Sequence, residues 1–286
     1  MLKQRVITAL LLLAVLLPAL FSPNKQFFMG LSLLMISAGA WEWGRLNGRS
    51  HATALLGGVL CLLAGAIAVD QGWGRHVPVA LWLVSGAAWV LLGAWMIRLG
   101  VVGWGRVPAL LRWVAGLVLL HISWLALIQA HAGGVNLLLS VLVLVWAADV
   151  VAYFAGRGLG GRFFVAKLAP AISPGKTWEG ALGGFVGVLL VAALWLFWDR
   201  QHPGLEASLH TRLWQHGAWL ALPAWAFLTA MSVVGDLVES LVKRSAGVKD
   251  SSGLLPGHGG VLDRVDALLP TLPLAMMLVS WLEMQP

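Results

Sequence analysis

"VNLLLSVLVLVWAADVVAYF", residues 135–154, runs for twenty residues with a single charge, Asp149. That length matches the hydrocarbon layer of a bilayer, which a helix crosses in about 20 apolar residues. The segment must be helical there, because lipid offers backbone N–H and C=O groups no partner. Eight further runs read the same way: 6–21, 27–44, 52–69, 78–97, 113–130, 180–198, 217–235 and 266–283. The chain is 59% hydrophobic and only 11% charged, which excludes an ordinary soluble domain. The expected fold is therefore all-α: a polytopic integral membrane protein with about nine transmembrane helices. Two runs are irregular. Residues 6–21 resemble a secretory signal, but Phe21 and Pro23 do not suit cleavage, so they are read as the first span. Residues 217–235 carry Pro223, which a helix interior resists.

Lysine and arginine collect in cytoplasmic loops, so their distribution tests the span count. Of 19 such residues, fifteen fall in the amino-terminal tail and the even-numbered loops; only Lys25, Arg75, Arg200 and Arg212 fall in the odd ones. This bias places the amino terminus in the cytoplasm and the carboxyl terminus on the far side. The net charge of +7 then reflects basic residues facing anionic headgroups, and nucleic acid is not required as a partner. The single cysteine, Cys61, sits in an apolar run and forms no internal disulfide framework.

Two segments, 146–180 and 236–266, hold 15 of the 31 charges in 66 residues. The expected organisation is an amino-terminal set of helices over 1–130, without a motif, and a catalytic region over 131–286 with cytoplasmic loops 155–179 and 236–265. Asp149 and Asp236 fall at membrane depth, where acids are costly and mark function more often than packing. On a continued helix, Asp236, Glu239, Ser240 and Lys243 share one face at i, i+3, i+4 and i+7. The counterpart is "KDSSGLLPGHGGVLDRVDALLP", residues 249–270. Pro256 and Gly257 break the chain, His258 follows, and Gly259 and Gly260 permit a conformation or close approach that a side chain would block. A helix beginning at Val261 would set Asp263 and Asp266 on one face near its amino-terminal end, which favours anions. Carboxylates from two helices beside a ring of Lys and Arg suit a magnesium-bound polyphosphate. The acids hold a hard cation through oxygen, while cation and bases neutralise the phosphates.

The run Ser240-Leu-Val-Lys243-Arg244-x4-Lys249-Asp250-x5-Pro256-Gly257-His258-Gly259-Gly260-Val-Leu-Asp263-Arg264-Val-Asp266 resembles the signature of the phosphatidate cytidylyltransferase (CDP-diacylglycerol synthase) family. The resemblance extends to Asp149…Tyr153-Phe154-x-Gly156-Arg157 and to Lys167…Ser173-Pro174-x-Lys176-Thr177-Trp178-Glu179-Gly180, covering roughly residues 140–270. Gly175 departs from the pattern, where a lysine or similar polar residue is expected. The resemblance implies an integral enzyme of the bacterial inner membrane, its active site facing the cytoplasm, that joins CTP and phosphatidate to give CDP-diacylglycerol and pyrophosphate. It implies Asp236 and Asp263 as ligands for Mg2+, with a second cation allowed. Lys249, His258 and Arg264 join them as catalytic residues. Lys176, Thr177, Ser240, Lys243, Arg244, Asp250, Gly259, Gly260 and Asp266 would contact the substrates, and Glu179 would orient bases.

Four other readings stay in view. Gly175-Lys176-Thr177 imitates a phosphate-binding loop, but Pro170 stands where glycine is needed and no strand precedes it. Gly180, Gly183, Gly184 and Gly187 form small-xxx-small patterns that serve a contact within one chain or a homodimer. A CTP-dependent lipid kinase would use similar residues and release CDP. A cation-coupled transporter would place its charges near the bilayer midplane and show internal symmetry, and neither is visible.

Overall fold

A computed structural model describes residues 2–74 and 77–284; Arg75 lies outside them. The described residues form eleven helices and no strand beyond two isolated bridges. In chain order these are α1 (Leu2–Phe21), α2 (Lys25–Leu46), α3 (His51–Asp70), α4 (Val79–Arg106), α5 (Ala109–Ala132), α6 (Val135–Leu159), α7 (Trp178–Gln201), α8 (Leu209–Gln215), α9 (Ala218–Ser245), α10 (Leu262–Val265) and α11 (Leu268–Glu283). The protein is an integral membrane protein of all-α, polytopic architecture. Among the described residues eight helices are long and apolar enough to cross a bilayer, one fewer than the nine expected. The difference is α2, which covers the run at 27–44: its 22 residues have the length, but serine, glycine and Glu42 dilute its apolar character.

Contacts between helix ends divide the bundle into two poles. At one, Arg5 Nε and Thr8 Oγ1 of α1 donate to the carbonyls of Gly257 and Pro256, and Lys176 before α7 pairs with Asp236 of α9. At the other, Lys25 of α2 donates to the carbonyl of Ala132 at the end of α5. Asn136 of α6 binds Asp199 of α7, and Arg212 of α8 pairs with Glu283 of α11. Arg5 and Lys176 are thus found at one pole, and Lys25 and Arg212 of the odd loops at the other.

Three local outcomes position the site. Pro223 lies in the second turn of α9, where it forfeits only the bond to the Trp219 carbonyl, and the helix runs unbroken to Ser245. The polar tail of α9 therefore projects past the apolar run at 217–235. The helix expected to start at Val261 forms as α10 and abuts α11 through Asp266 and Ala267, whose backbone stays right-handed helical, so that together they make the last span. Finally, the glycine stripe of α7 packs on α6 within the chain: a Cβ at Gly184 would lie 2.7 Å from the Ala148 carbonyl oxygen, and one at Gly187 2.6 Å from a Val151 methyl.

Backbone that close leaves no room for a side chain. Gly184→Val is expected to lower stability by about 1–3 kcal/mol, the usual range for overpacking. The unfolding midpoint in detergent checks this, with Gly158→Ala as control, since a Cβ at Gly158 meets nothing.

Candidate active site

The polar tail of α9 carries two tiers of charge. In the upper tier Asp236 Oδ2 pairs with Lys176 Nζ at 2.6 Å, and its Oδ1 accepts from Ser240 Oγ at 3.1 Å. One turn on, Lys243 Nζ lies between two carboxylates, Glu239 of its own helix and Asp263 Oδ1 at 2.6 Å. The i, i+3, i+4, i+7 spacing thus operates: Ser240 reaches Asp236 and Lys243 reaches Glu239, each four residues away.

Asp263 belongs to the glycine turn. Its Oδ2 accepts the Gly260 N–H at 2.7 Å and both the N–H and hydroxyl of Ser251 at 2.8 Å. Gly257 and Gly259 have φ of 78° and 84°, left-handed backbone that only glycine adopts readily. A Cβ at Gly259 would come within 2.5 Å of Asp263 Oδ2, and one at Gly260 would collide with Ser251 Oγ and Glu42 Oε1. These glycines let backbone approach carboxylate.

Glu42 was not among the residues singled out from sequence. It lies in α2, fully buried, and accepts four hydrogen bonds from the same turn. Its Oε1 takes Ser252 Oγ at 2.6 Å and the Val261 N–H at 2.9 Å; its Oε2 takes the Leu262 N–H at 2.8 Å and, at 3.1 Å, shares with Asp263 the single proton of the Ser251 hydroxyl. Those amides open α10 and have no partner within it, so a carboxylate satisfies them and complements the helix dipole. The rule that flags Asp149, an acid inside an apolar run, would have found Glu42 too.

A cavity of about 600 Å3 opens beside the upper tier, bounded by α6, the 168–177 loop, α7 and α9. Asp149, Arg157, Lys176, Thr177 and Asp236 line it, and Asp149 lies within electrostatic reach of Asp236 and Lys176. Thr177 Oγ1 also accepts the Gly180 N–H at 3.0 Å, capping α7. Tyr153 and Phe154, both exposed, stand on α6 at this pole, and Tyr153 lines the cavity.

The remaining sequence-selected residues lie outside that lining. Arg244, Lys249, Asp250 and Arg264 are exposed on the 244–264 segment. The backbone N–H of His258 donates to Leu255 at 2.8 Å, while its Nδ1 is buried without a partner. Asp266 accepts from the Ala267 N–H and lies within electrostatic reach of Asp236 and Asp149. Glu179 accepts the N–H groups of Phe163 and Phe164 at 3.0 Å, so it orders the 160–177 loop through backbone rather than through a base. Asp236 and Asp263 share no partner: each faces its own lysine.

Against known proteins, residues 3–282 match the cytidylyltransferase family. The chain belongs to that family. A phosphatidate cytidylyltransferase of Pseudomonas aeruginosa is 40% identical over 96% of this chain and 95% of its own. One from Haemophilus influenzae is 36% identical over 96% of both chains, and one from Brucella abortus 37% identical over 84% and 81%. Membership in the cytidylyltransferase family spans the first five helices as well, including α2 and its Glu42, where the sequence offered no recognisable motif.

Glu42→Gln replaces one acceptor oxygen by an NH2 group facing an N–H donor. Protection of the 249–262 amides against hydrogen exchange is expected to fall about tenfold or more, since bonds to a charged acceptor are worth about 1.5–3 kcal/mol each. Exchange elsewhere in the bundle should change much less.

Proposed function

We propose that this chain is a nucleotidyltransferase that joins CTP and phosphatidate to give CDP-diacylglycerol and pyrophosphate. The observation that carries the reading is the cavity: carboxylates and an ammonium meet in a space at the charged pole, beside an aromatic surface open to lipid. The family and its phosphatidate cytidylyltransferase relatives supply the chemistry. An oxygen of the lipid phosphate forms a bond to the α-phosphorus of CTP, the bond between the α-phosphorus and the bridging oxygen breaks, and pyrophosphate leaves. Such a transfer depends on position and charge more than on covalent participation.

Asp236 would hold Mg2+, with Asp149 beside it as donor for a second cation; Asp263, its Oδ2 filled by Gly260 and Ser251, would join as a ligand through Oδ1 once Lys243 releases it. Their oxygens are the hard ligands such an ion prefers, and each is already oriented onto a positive charge, Lys176 or Lys243. An ion held there would supply positive charge to neutralise the phosphates. Lys176 and Lys243 would then turn to the phosphates, with Arg244, Lys249 and Arg264 at the rim. Thr177, at the N-cap of α7, would meet the substrates from the cavity wall, and Ser240 orients Asp236 from one turn along α9, while Gly259 and Gly260 hold Asp263 to its turn. His258 and Asp250 border the same loop, and Asp266 faces the acids of the cavity.

The pole carrying the site faces the cytoplasm of a bacterial inner membrane in this reading, supported by the concentration of lysine and arginine there. Membrane lipids are its other partners. A homodimer would have to use a surface other than the glycine stripe of α7, which α6 covers.

The test is purified protein in detergent with phosphatidate, magnesium and CTP labelled at the α-phosphate. Lipid-soluble label with one pyrophosphate per label is expected; label remaining in water with CDP released would favour a lipid kinase. Asp236→Asn is expected to cut kcat by about a hundredfold or more, as loss of a preorganised charge-stabilising group does. A variant at wild-type rate would remove Asp236 from the chemistry.

A further inference from the structure

Arg49 and Arg112 stand apart from the cavity. Arg49 follows the end of α2, and its guanidinium lies 5.5 Å over the ring of Trp113; Arg112, in the first turn of α5, lies 5.6 Å over Trp104. Stacking covers the planar faces and leaves the N–H edges to find acceptors. They find none: Arg49 Nε and Nη2 and Arg112 Nε are buried without a hydrogen-bond partner. No carboxylate pairs with either arginine among the described residues, and the two cations are within electrostatic reach of each other. Two half-buried like charges with unused donors call for an anion that accepts several hydrogen bonds at once.

Next to them, Arg112 borders a groove between α4 and α5, lined by Trp89, Leu92, Trp95, Met96, Trp104 and Leu111. Leu92, Trp95 and Leu111 are exposed at its mouth. Its floor is α9, through Gly235, Val238 and Glu239, whereas Val233 and Asp236 of that helix line the 600 Å3 cavity. The helix therefore separates groove from cavity. Glu239, the one acid at the floor, is already paired with Lys243.

We propose that Arg49 and Arg112, together with this tryptophan groove, bind one anionic phospholipid distinct from the reacting phosphatidate. The two guanidinium edges take the phosphodiester at the bilayer boundary, and the groove takes an acyl chain. A free phosphate would use only the first half and a neutral lipid only the second. The proposal rests on embedding in the membrane and not on the nucleotidyl transfer, so either can fail alone.

The experiment is native mass spectrometry of the full chain in detergent with phosphatidylglycerol or phosphatidylcholine of equal chain length. The wild type is expected to retain one phosphatidylglycerol in preference to phosphatidylcholine. Arg49→Gln with Arg112→Gln should reduce that preference about tenfold, the loss of a charge-assisted, forked contact. Trp95→Ala should weaken retention of both lipids. Should the double glutamine variant misfold, judged by its unfolding midpoint without added lipid, Arg49→Lys with Arg112→Lys keeps the charge, removes the fork and should still lower the preference. Equal retention of the two lipids by the wild type, or an unchanged preference in the variants, overturns the proposal. So does displacement by millimolar inorganic phosphate, which would indicate a simple anion site. A rise in KM for phosphatidate in step with lost phosphatidylglycerol also overturns it, because the groove would then belong to the substrate.

Discussion

Two carboxylates grip one glycine turn. Glu42 on α2 and Asp263 at the start of α10 accept, between them, the N–H groups of Ser251, Gly260, Val261 and Leu262 and the hydroxyls of Ser251 and Ser252. Near a bilayer these donors would be costly to leave unpaired, and a single acceptor group cannot serve them all. The arrangement fixes Asp263 Oδ1 toward Lys243, and Lys243 in turn accompanies Glu239 on α9. One chain of bonds therefore connects α2, the 249–261 loop and α9.

That chain explains why the charged pole is built from parts distant in sequence. α1 supplies Arg5 and Thr8 to the Pro256–Gly257 carbonyls, α2 supplies Glu42, and the 160–177 loop supplies Lys176 to Asp236. The 160–177 loop is itself held by Glu179 through the Phe163 and Phe164 amides. Acids here do two kinds of work: Glu42 and Glu179 satisfy backbone donors, while Asp149 and Asp236 face a cavity large enough for a ligand. Burial follows the same division, with Glu42 and Glu179 buried and Asp149 and Asp236 open to the cavity. What distinguishes them is whether their oxygens are already filled by amides.

The helices of α9 and α7 show a complementary economy of side chains. Glycines 184 and 187 bring α7 against α6, and Gly235 brings α9 against the Asp266 carbonyl and Pro270. Close helix approach is how a bundle in lipid gains packing, since there is no water to expel between helices.

By itself the sequence determined the membrane architecture, because hydropathy over about 20 residues is a local property that the bilayer reads directly. It also determined which segments carry chemistry, because charge is scarce and collects in 146–180 and 236–266. The spacing of Asp236, Ser240 and Lys243 on one helical face was legible for the same reason: helical periodicity is local. Tertiary structure alone decided the partners. That Asp236 meets Lys176, that Asp263 is filled by a turn and that Glu42 reaches residues more than two hundred positions away all depend on contacts between distant segments. Hydrogen-bond acceptors are chosen by proximity in the folded chain, and no periodicity along the sequence encodes that proximity.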